Sequence, residues 1–156
     1  MQLKINDTAP LFKLQNQDNA EIALQDFRGS FVVLYFYPKD KTPGCTTEAC
    51  DFRDSMESLS ALNAIVLGIS PDSVKSHQSF IEKESLNFTL LSDSNKEVLK
   101  SYGAWGLKKL YGKEYEGVIR STFLIDKTGK IAYIWENVKV KGHIEEIKKK
   151  LKELQE

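Results

Sequence analysis

The densest apolar run in the chain is Phe31-Val-Val-Leu-Tyr-Phe-Tyr37. It is β-favouring throughout, so it predicts a strand buried on both faces, ended by Pro38. Ala64-Ile-Val-Leu-Gly-Ile69 predicts a second buried strand. Between the two, Phe52, Met56, Leu59 and Leu62 fall at helical spacing and predict a helix over about 46–62. Ser70-Pro-Asp-Ser73 reads as a helix start, with Ser70 as N-cap and Pro71 in the first turn, for a helix running to about Leu86. Phe88–Leu91 is a short apolar run, and Asp93-Ser-Asn95 opens a further helix through Tyr102. Nearer the N-terminus, Phe12–Leu14 and Glu21–Leu24 flank Asn16-Gln-Asp-Asn19, the pattern of a small β-hairpin. Asp26-Phe-Arg-Gly29 is a turn. The stretch from Gly103 to Gly117, with Gly106, Gly112, Trp105, Tyr111 and Tyr115, reads as a structured loop, with a short hairpin as an option. Ile119–Asp126 and Ile131–Trp135 flank the hairpin turn Lys127-Thr-Gly-Lys130. Ile144, Ile147, Leu151 and Leu154 lie three and four apart on a closing helix. That stretch is too short for a coiled-coil seam and predicts packing on the sheet.

The order is strand, helix, strand, helix, helix, hairpin, helix. Strands alternating with helices imply parallel pairing, and the late hairpin adds an antiparallel pair. The expected class is α/β: a mixed central sheet flanked by helices, with an N-terminal β-hairpin. A thioredoxin-like topology satisfies this order. A length of 156 residues suits one domain, 1–156, with a sizeable core.

Composition adds mainly exclusions. Lys plus Arg and Asp plus Glu are balanced at 22 each, which argues against a nucleic-acid or polybasic membrane partner. No apolar stretch approaches the ~18 residues of a membrane span. Met1-Gln-Leu-Lys-Ile-Asn-Asp7 lacks the apolar core of a signal peptide and the arginine-rich look of a transit peptide, so the reading is cytoplasmic. In a reducing compartment the chain's 2 cysteines point to catalysis or metal binding rather than to a structural staple.

Both cysteines lie in Pro38-Lys-Asp-Lys-Thr-Pro-Gly-Cys-Thr-Thr-Glu-Ala-Cys-Asp51, where the first core strand gives way to a helix. A thiol at a helix N-terminus meets positive potential that favours a thiolate. Gly44, without a Cβ, lets a small ligand approach the backbone beside Cys45. Pro38 and Pro43 stiffen the loop. Thr42 brings a hydroxyl able to donate to a thiolate or to a bound oxygen. Glu48, three residues after Cys45, shares its helix face and would repel a thiolate unless it holds a cation. Arg120, opening Arg-Ser-Thr-Phe-Leu-Ile-Asp126, is the candidate cation. Two readings stay open: Arg120 is paired with Glu48 while donating to Cys45, or it sits at the exposed end of its strand.

Pro38-x-x-x-Thr42-x-x-Cys45 with Arg120 downstream resembles the active-site signature of the peroxiredoxins. Gly44-Cys-Thr-Thr-Glu-Ala-Cys50 and Tyr111–Asp126 resemble the bacterioferritin-comigratory, or Q-type, branch of that family, and the similarity covers nearly the whole chain. The resemblance implies a thiol peroxidase acting on hydrogen peroxide and organic hydroperoxides without a cofactor or metal. It implies Cys45 as the peroxidatic cysteine, Thr42 and Arg120 as the residues that bind and polarise peroxide, and Pro38 as a shield. Cys50 matches the resolving cysteine, and a thioredoxin-type protein is the implied reductant. With an intrachain resolving thiol, a monomer is expected.

If residues 45 to 50 are helical, their Cα atoms lie about 8.6 Å apart. A disulfide needs less than about 7 Å. The helix start is therefore expected to unwind on oxidation. Two rival readings remain. A thioredoxin-like disulfide oxidoreductase would want C-x-x-C rather than this spacing. A metal-binding module would draw on Cys45, Cys50, His77 and His143, at a spacing that matches no common zinc pattern. Both histidines read more simply as packing or surface residues. Trp105, Tyr111 and Tyr115 read as loop packing, with a docking rim as the alternative.

Overall fold

The structure is a computed structural model that describes residues 2–155. The strands are β1 (Lys13–Asn16), β2 (Glu21–Ala23), β3 (Phe31–Phe36), β4 (Ala64–Ser70), β5 (Thr89–Ser92), β6 (Trp105–Leu110), β7 (Lys113–Val118), β8 (Ser121–Ile125) and β9 (Ile131–Trp135). The helices are α1 (Pro43–Ala61), α2 (Val74–Glu84), α3 (Glu97–Ser101) and α4 (His143–Leu154). Seven strands form one sheet in the order β2-β1-β5-β4-β3-β8-β9, and β6 pairs with β7 as a separate two-stranded ribbon. The pairs β3–β4 and β4–β5 are parallel, and the outer pairs are antiparallel. The mixed sheet and N-terminal hairpin are as expected.

Strand β3 is central, and its alternation divides the core in two. Phe31, Val33 and Tyr35, with Tyr37 beyond the strand end, point toward a cluster with Phe52 and Leu59 of α1, Phe80 of α2, and Ile144, Ile147 and Leu151 of α4. Val32, Leu34 and Phe36 point toward the opposite cluster, with Phe12, Val98, Leu99 and Tyr102. The closing helix thus packs on the sheet through Ile144, Ile147 and Leu151, while Leu154, marked by the same spacing, is exposed. The Tyr35 ring stacks on Phe52 at 4.6 Å between centroids. Gly68 makes room for that ring, because a Cβ there would stand 2.8 Å from Tyr35 Cζ and from Leu90 Cδ2.

Several expectations are corrected. Helix α1 begins at Pro43, not near Thr46, with Thr42 as its N-cap. Ser70 is not an N-cap. It is the last residue of β4, in register with Ser92. The cap of α2 is Ser73, whose hydroxyl accepts from the Ser76 amide at 3.1 Å. Sheet pairing overrides the capping pattern, since β4 keeps its ladder one residue further than its apolar run. The apolar run at Phe88–Leu91 yields a true strand, β5, absent from the expected order. The helix after Asp93 shrinks to Glu97–Ser101, and Asp93 serves it from a distance by accepting from the Leu99 amide at 2.7 Å. The glycine-rich stretch is the β6–β7 ribbon. In it Trp105 is half-buried, Tyr115 exposed, and Tyr111 95% exposed, so packing holds for Trp105 only. Among the described residues, no helix is long and apolar enough to cross a membrane.

Candidate active site

Strand β3 delivers the chain to a loop, Pro38–Thr42, and the loop delivers it to α1. Pro43 occupies the first helical position, where a missing N–H costs nothing. Cys45 follows in the first turn and is 1% exposed. Its sulfur therefore lies among the unpaired amides and positive potential of the helix start. One turn on, Glu48 projects from the same face and is also 1% exposed.

Arg120, between β7 and β8, reaches across to both. Its Nη1 donates to Glu48 Oε1 at 2.5 Å and its Nη2 to Cys45 Sγ at 3.2 Å. The paired reading of Arg120 holds, and its side chain is 17% exposed. Gly44 lies against the same group, where a Cβ would stand 3.4 Å from Arg120 Nη2. Burial pushes the Glu48 carboxyl up to about 7, against the opposing pull of Arg120. Burial also works against the charge on Arg120, but Glu48 and the Cys45 sulfur outweigh it and hold the guanidinium above its ordinary value. Among the described residues, the buried Glu48 Oε2 has no hydrogen-bond partner.

Thr42 corrects one detail. Its hydroxyl does not donate to the sulfur; it donates to the Lys39 carbonyl at 2.8 Å. With its hydrogen committed there, the Thr42 oxygen is left to act as an acceptor. Pro38, half-buried, starts the loop. A cavity of about 490 Å³ adjoins Arg120, lined also by Leu107, Ile119 and Val138 and by Lys108 and Lys109.

Cys50 sits elsewhere on the helix. It is half-buried and donates to Glu84 Oε2 at 3.5 Å. Burial pushes its thiol up, and Glu84 adds to the shift, while Arg53 pulls the other way. Both cysteines are free thiols on one continuous helix. The four residues considered for zinc do not converge. His77 Nδ1 meets Asp40 at 2.8 Å, and His143 Nε2 meets the Thr122 hydroxyl at 2.8 Å. Both histidines are buried, and burial, then the charge of Arg120, drops His143 to about 4. Asp40 is a buried residue that the sequence pattern does not single out. The one signal for it is indirect: His77, Phe80 and Ile81 lie at positions i, i+3 and i+4, so His77 belongs to the buried face of α2 and needs a polar partner.

A buried thiol at the start of the helix after the central strand, with a guanidinium on its sulfur, defines a thiol-redox enzyme on a thioredoxin-like frame. The AhpC/TSA family model matches residues 5–134. Peroxiredoxin Bcp of Bacillus subtilis is 49% identical over 156 residues, covering 100% of this chain and 99% of its own. The crystal structure of a PrxQ mutant from Xylella fastidiosa is 40% identical, with a TM-score of 0.94 over 100% of this chain and 99% of that one. A structure of the Xanthomonas campestris bacterioferritin comigratory protein, described for its alkyl peroxide reduction activity, is 36% identical, with a TM-score of 0.88 over 93% of this chain and 92% of that one. The chain belongs to the AhpC/TSA family, as a peroxiredoxin of the Bcp, or Q-type, branch. A peroxiredoxin is a peroxidase that works through a thiol, so peroxides are its substrates and a thiol is its reductant.

Proposed function

We propose that Cys45 is the peroxidatic cysteine, Cys50 the resolving cysteine, and Arg120, Thr42 and Pro38 the residues that receive the peroxide. The observation that carries this reading is the Arg120 guanidinium, which spans Cys45 Sγ and Glu48 Oε1. Glu48 holds the arginine in place, and Gly44 lets it lie close to the helix start.

The chemistry follows from these positions. Cys45, as thiolate, attacks one peroxide oxygen, and the O–O bond breaks. The other oxygen leaves with the peroxide hydrogen as water or an alcohol. Arg120 and the Cys45 backbone N–H stabilise the charge that moves onto the leaving oxygen. Thr42, its own hydrogen committed to Lys39, accepts the peroxide O–H and orients it. Pro38 limits water. Cys45 is left as a sulfenate, which takes back the proton lost when the thiolate formed; the resulting sulfenic acid condenses with the Cys50 thiol to form the disulfide and release water. Helix α1 separates the two Cα atoms by about 8.6 Å if regular, so its first turns unwind for this step. A thioredoxin-type dithiol then supplies two electrons to restore both thiols.

The chain works in this reading as one catalytic domain, monomeric and cytoplasmic, without a nucleic-acid or membrane partner. The cavity beside Arg120, lined by Leu107, Ile119 and Val138 together with Lys108, Lys109 and Asn137, leaves room for the substituent of an organic hydroperoxide. The experiment is peroxide consumption with a thioredoxin system for the unaltered chain, Cys45→Ser and Cys50→Ser. Cys45→Ser is expected to be inactive, and Cys50→Ser to react once without efficient turnover. Full activity in Cys45→Ser would end the assignment.

A further inference from the structure

The loop that carries Pro38 and Thr42 is held from behind by a buried polar cluster. Asp40, midway along the loop, is its only fully buried residue, flanked by exposed Lys39 and Lys41. The side chains of Asp40 and His77 are 1% and 0% exposed. Asp40 Oδ1 accepts from the Tyr37 hydroxyl at 2.5 Å. Asp40 Oδ2 accepts from the Ser76 hydroxyl at 2.8 Å and meets His77 Nδ1 at 2.8 Å. His77 Nε2 lies 3.0 Å from the Leu91 carbonyl, which only accepts, so Nε2 carries a hydrogen. The contact between Nδ1 and Oδ2 then needs a proton of its own. Lys41 turns the chain at φ 67° and reaches the Ser79 hydroxyl of α2.

A buried carboxylate is costly, and apolar residues would fill the same space more cheaply. What the charge adds is direction. The Asp40 amide donates to Asp72 Oδ2 at 2.8 Å, and Asp72 Oδ2 is itself fixed by the Ser70 hydroxyl at 2.7 Å. That amide shares a planar peptide unit with the Lys39 carbonyl, and the two groups point to opposite sides of it. The Lys39 carbonyl is the acceptor of the Thr42 hydroxyl. Asp72 therefore sets the tilt of one peptide plane, and that plane sets where the Thr42 hydrogen goes. The Asp40–His77 pair keeps the plane from turning.

We propose that Asp40, His77 and Asp72 are positioning residues for the peroxide step, fixing the peptide between Lys39 and Asp40 and, through it, the Thr42 hydroxyl as an acceptor facing the pocket. This rests on the role of Thr42 proposed above. The remote cluster and the pocket are then one hydrogen-bonded device spanning β4, the β4–α2 connection, α2 and the loop.

The test is the rate constant for oxidation of Cys45 by hydrogen peroxide, followed by intrinsic fluorescence in the full chain. His77→Gln and Asp72→Ala are each expected to slow it about tenfold, the effect of losing one hydrogen bond to a charged group. Asp72→Asn, which keeps an acceptor oxygen, restores most of the rate. In a Thr42→Val background the same substitutions cost less than about twofold, since the group they position is gone. Reduction of the Cys45–Cys50 disulfide by dithiothreitol keeps its rate in every variant. Equal losses with and without Thr42, no loss at all, or a matching loss in the reduction step would overturn the proposal. If His77→Gln does not fold, the Asp72 pair decides the matter. An unaltered chain that fails to consume peroxide would sink the functional reading and this proposal together; normal consumption with additive losses would sink this proposal alone.

Discussion

Cys45 and Cys50 lie five positions apart on one helix and in opposite surroundings. Cys45 is 1% exposed, at the positive end of α1, with a guanidinium donating to its sulfur. Cys50 is half-buried, a turn and more along the helix, and gives its hydrogen to a carboxylate. One sulfur accepts a hydrogen bond from a guanidinium, the arrangement expected around the proposed nucleophile. A sulfur that gives its hydrogen to Glu84, and whose thiol burial pushes up, is set up as a neutral thiol. If Cys45 attacks and Cys50 resolves, as proposed, this difference separates the two jobs before any reaction begins. Under the roles proposed above, peroxide meets one nucleophile in the folded helix, and the second is released only when the helix start opens.

Cys45→Ser tests this contrast most severely. It is expected to reduce peroxide consumption to the uncatalysed rate, measured with a thioredoxin system. Arg120→Met leaves the sulfur without its donor and is expected to slow Cys45 oxidation about a hundredfold in stopped-flow fluorescence. Arg120→Lys recovers little of that, because a single ammonium does not reproduce the two-pronged reach to Cys45 and Glu48. Cys50→Ser is expected to keep the first attack at its full rate. It loses turnover and accumulates sulfinic acid on Cys45, read by intact-mass spectrometry under excess peroxide. Glu84→Gln keeps an acceptor and removes the charge. Alkylation of Cys50 at pH 8 is then expected to rise about twofold to fivefold, the scale of a partly exposed charge interaction.

A last effect, read in stability rather than in rate, concerns Glu48. Its carboxyl has an ordinary value of 4.5, and burial raises it to about 7 in the folded chain. Between those values the folded chain holds a proton that the unfolded chain has released, so the contribution of this group to stability falls as pH rises through the window. His143, lowered to about 4 by burial and then by Arg120, works in the other direction below pH 6.5. Comparison with Glu48→Gln isolates the carboxyl. The two chains are expected to melt together at pH 5, and the variant to melt higher at pH 8. A difference that does not change with pH would contradict the raised value.

Part of this arrangement is legible in the amino-acid sequence. The cost of burying an arginine at the start of an apolar strand, and of a glutamate one turn after a thiol, makes each a candidate partner for the other, and the fold chooses that pairing over an exposed strand end. Both buried faces of β3 follow from seven apolar residues in a row. Ser70 and Asp40 show where local pattern stops being informative. Ser-Pro-Asp-Ser reads as capped by Ser70, but the cap is Ser73, because β4 stays paired with β5 through Ser70, a contact between distant segments. Pro-Lys-Asp-Lys looks like an exposed loop because its neighbours are charged. Its aspartate is buried only because His77, Ser76 and Tyr37 close over it, and no local pattern encodes that meeting. The direction of the Thr42 hydroxyl depends on the same tertiary contacts, so spacing alone suggests a donor to sulfur where the fold makes an acceptor.

The central claim is that α1 alternates between a folded start that exposes one nucleophile to peroxide and an unwound start that joins the two sulfurs. Amide hydrogen exchange across residues 45–52, measured in the reduced chain and after one equivalent of peroxide, tests it most directly. Strong protection is expected in the reduced chain and its loss over those residues once the disulfide forms, with the second half of α1 unchanged. Equal protection in both states, with the disulfide confirmed by mass, would contradict it.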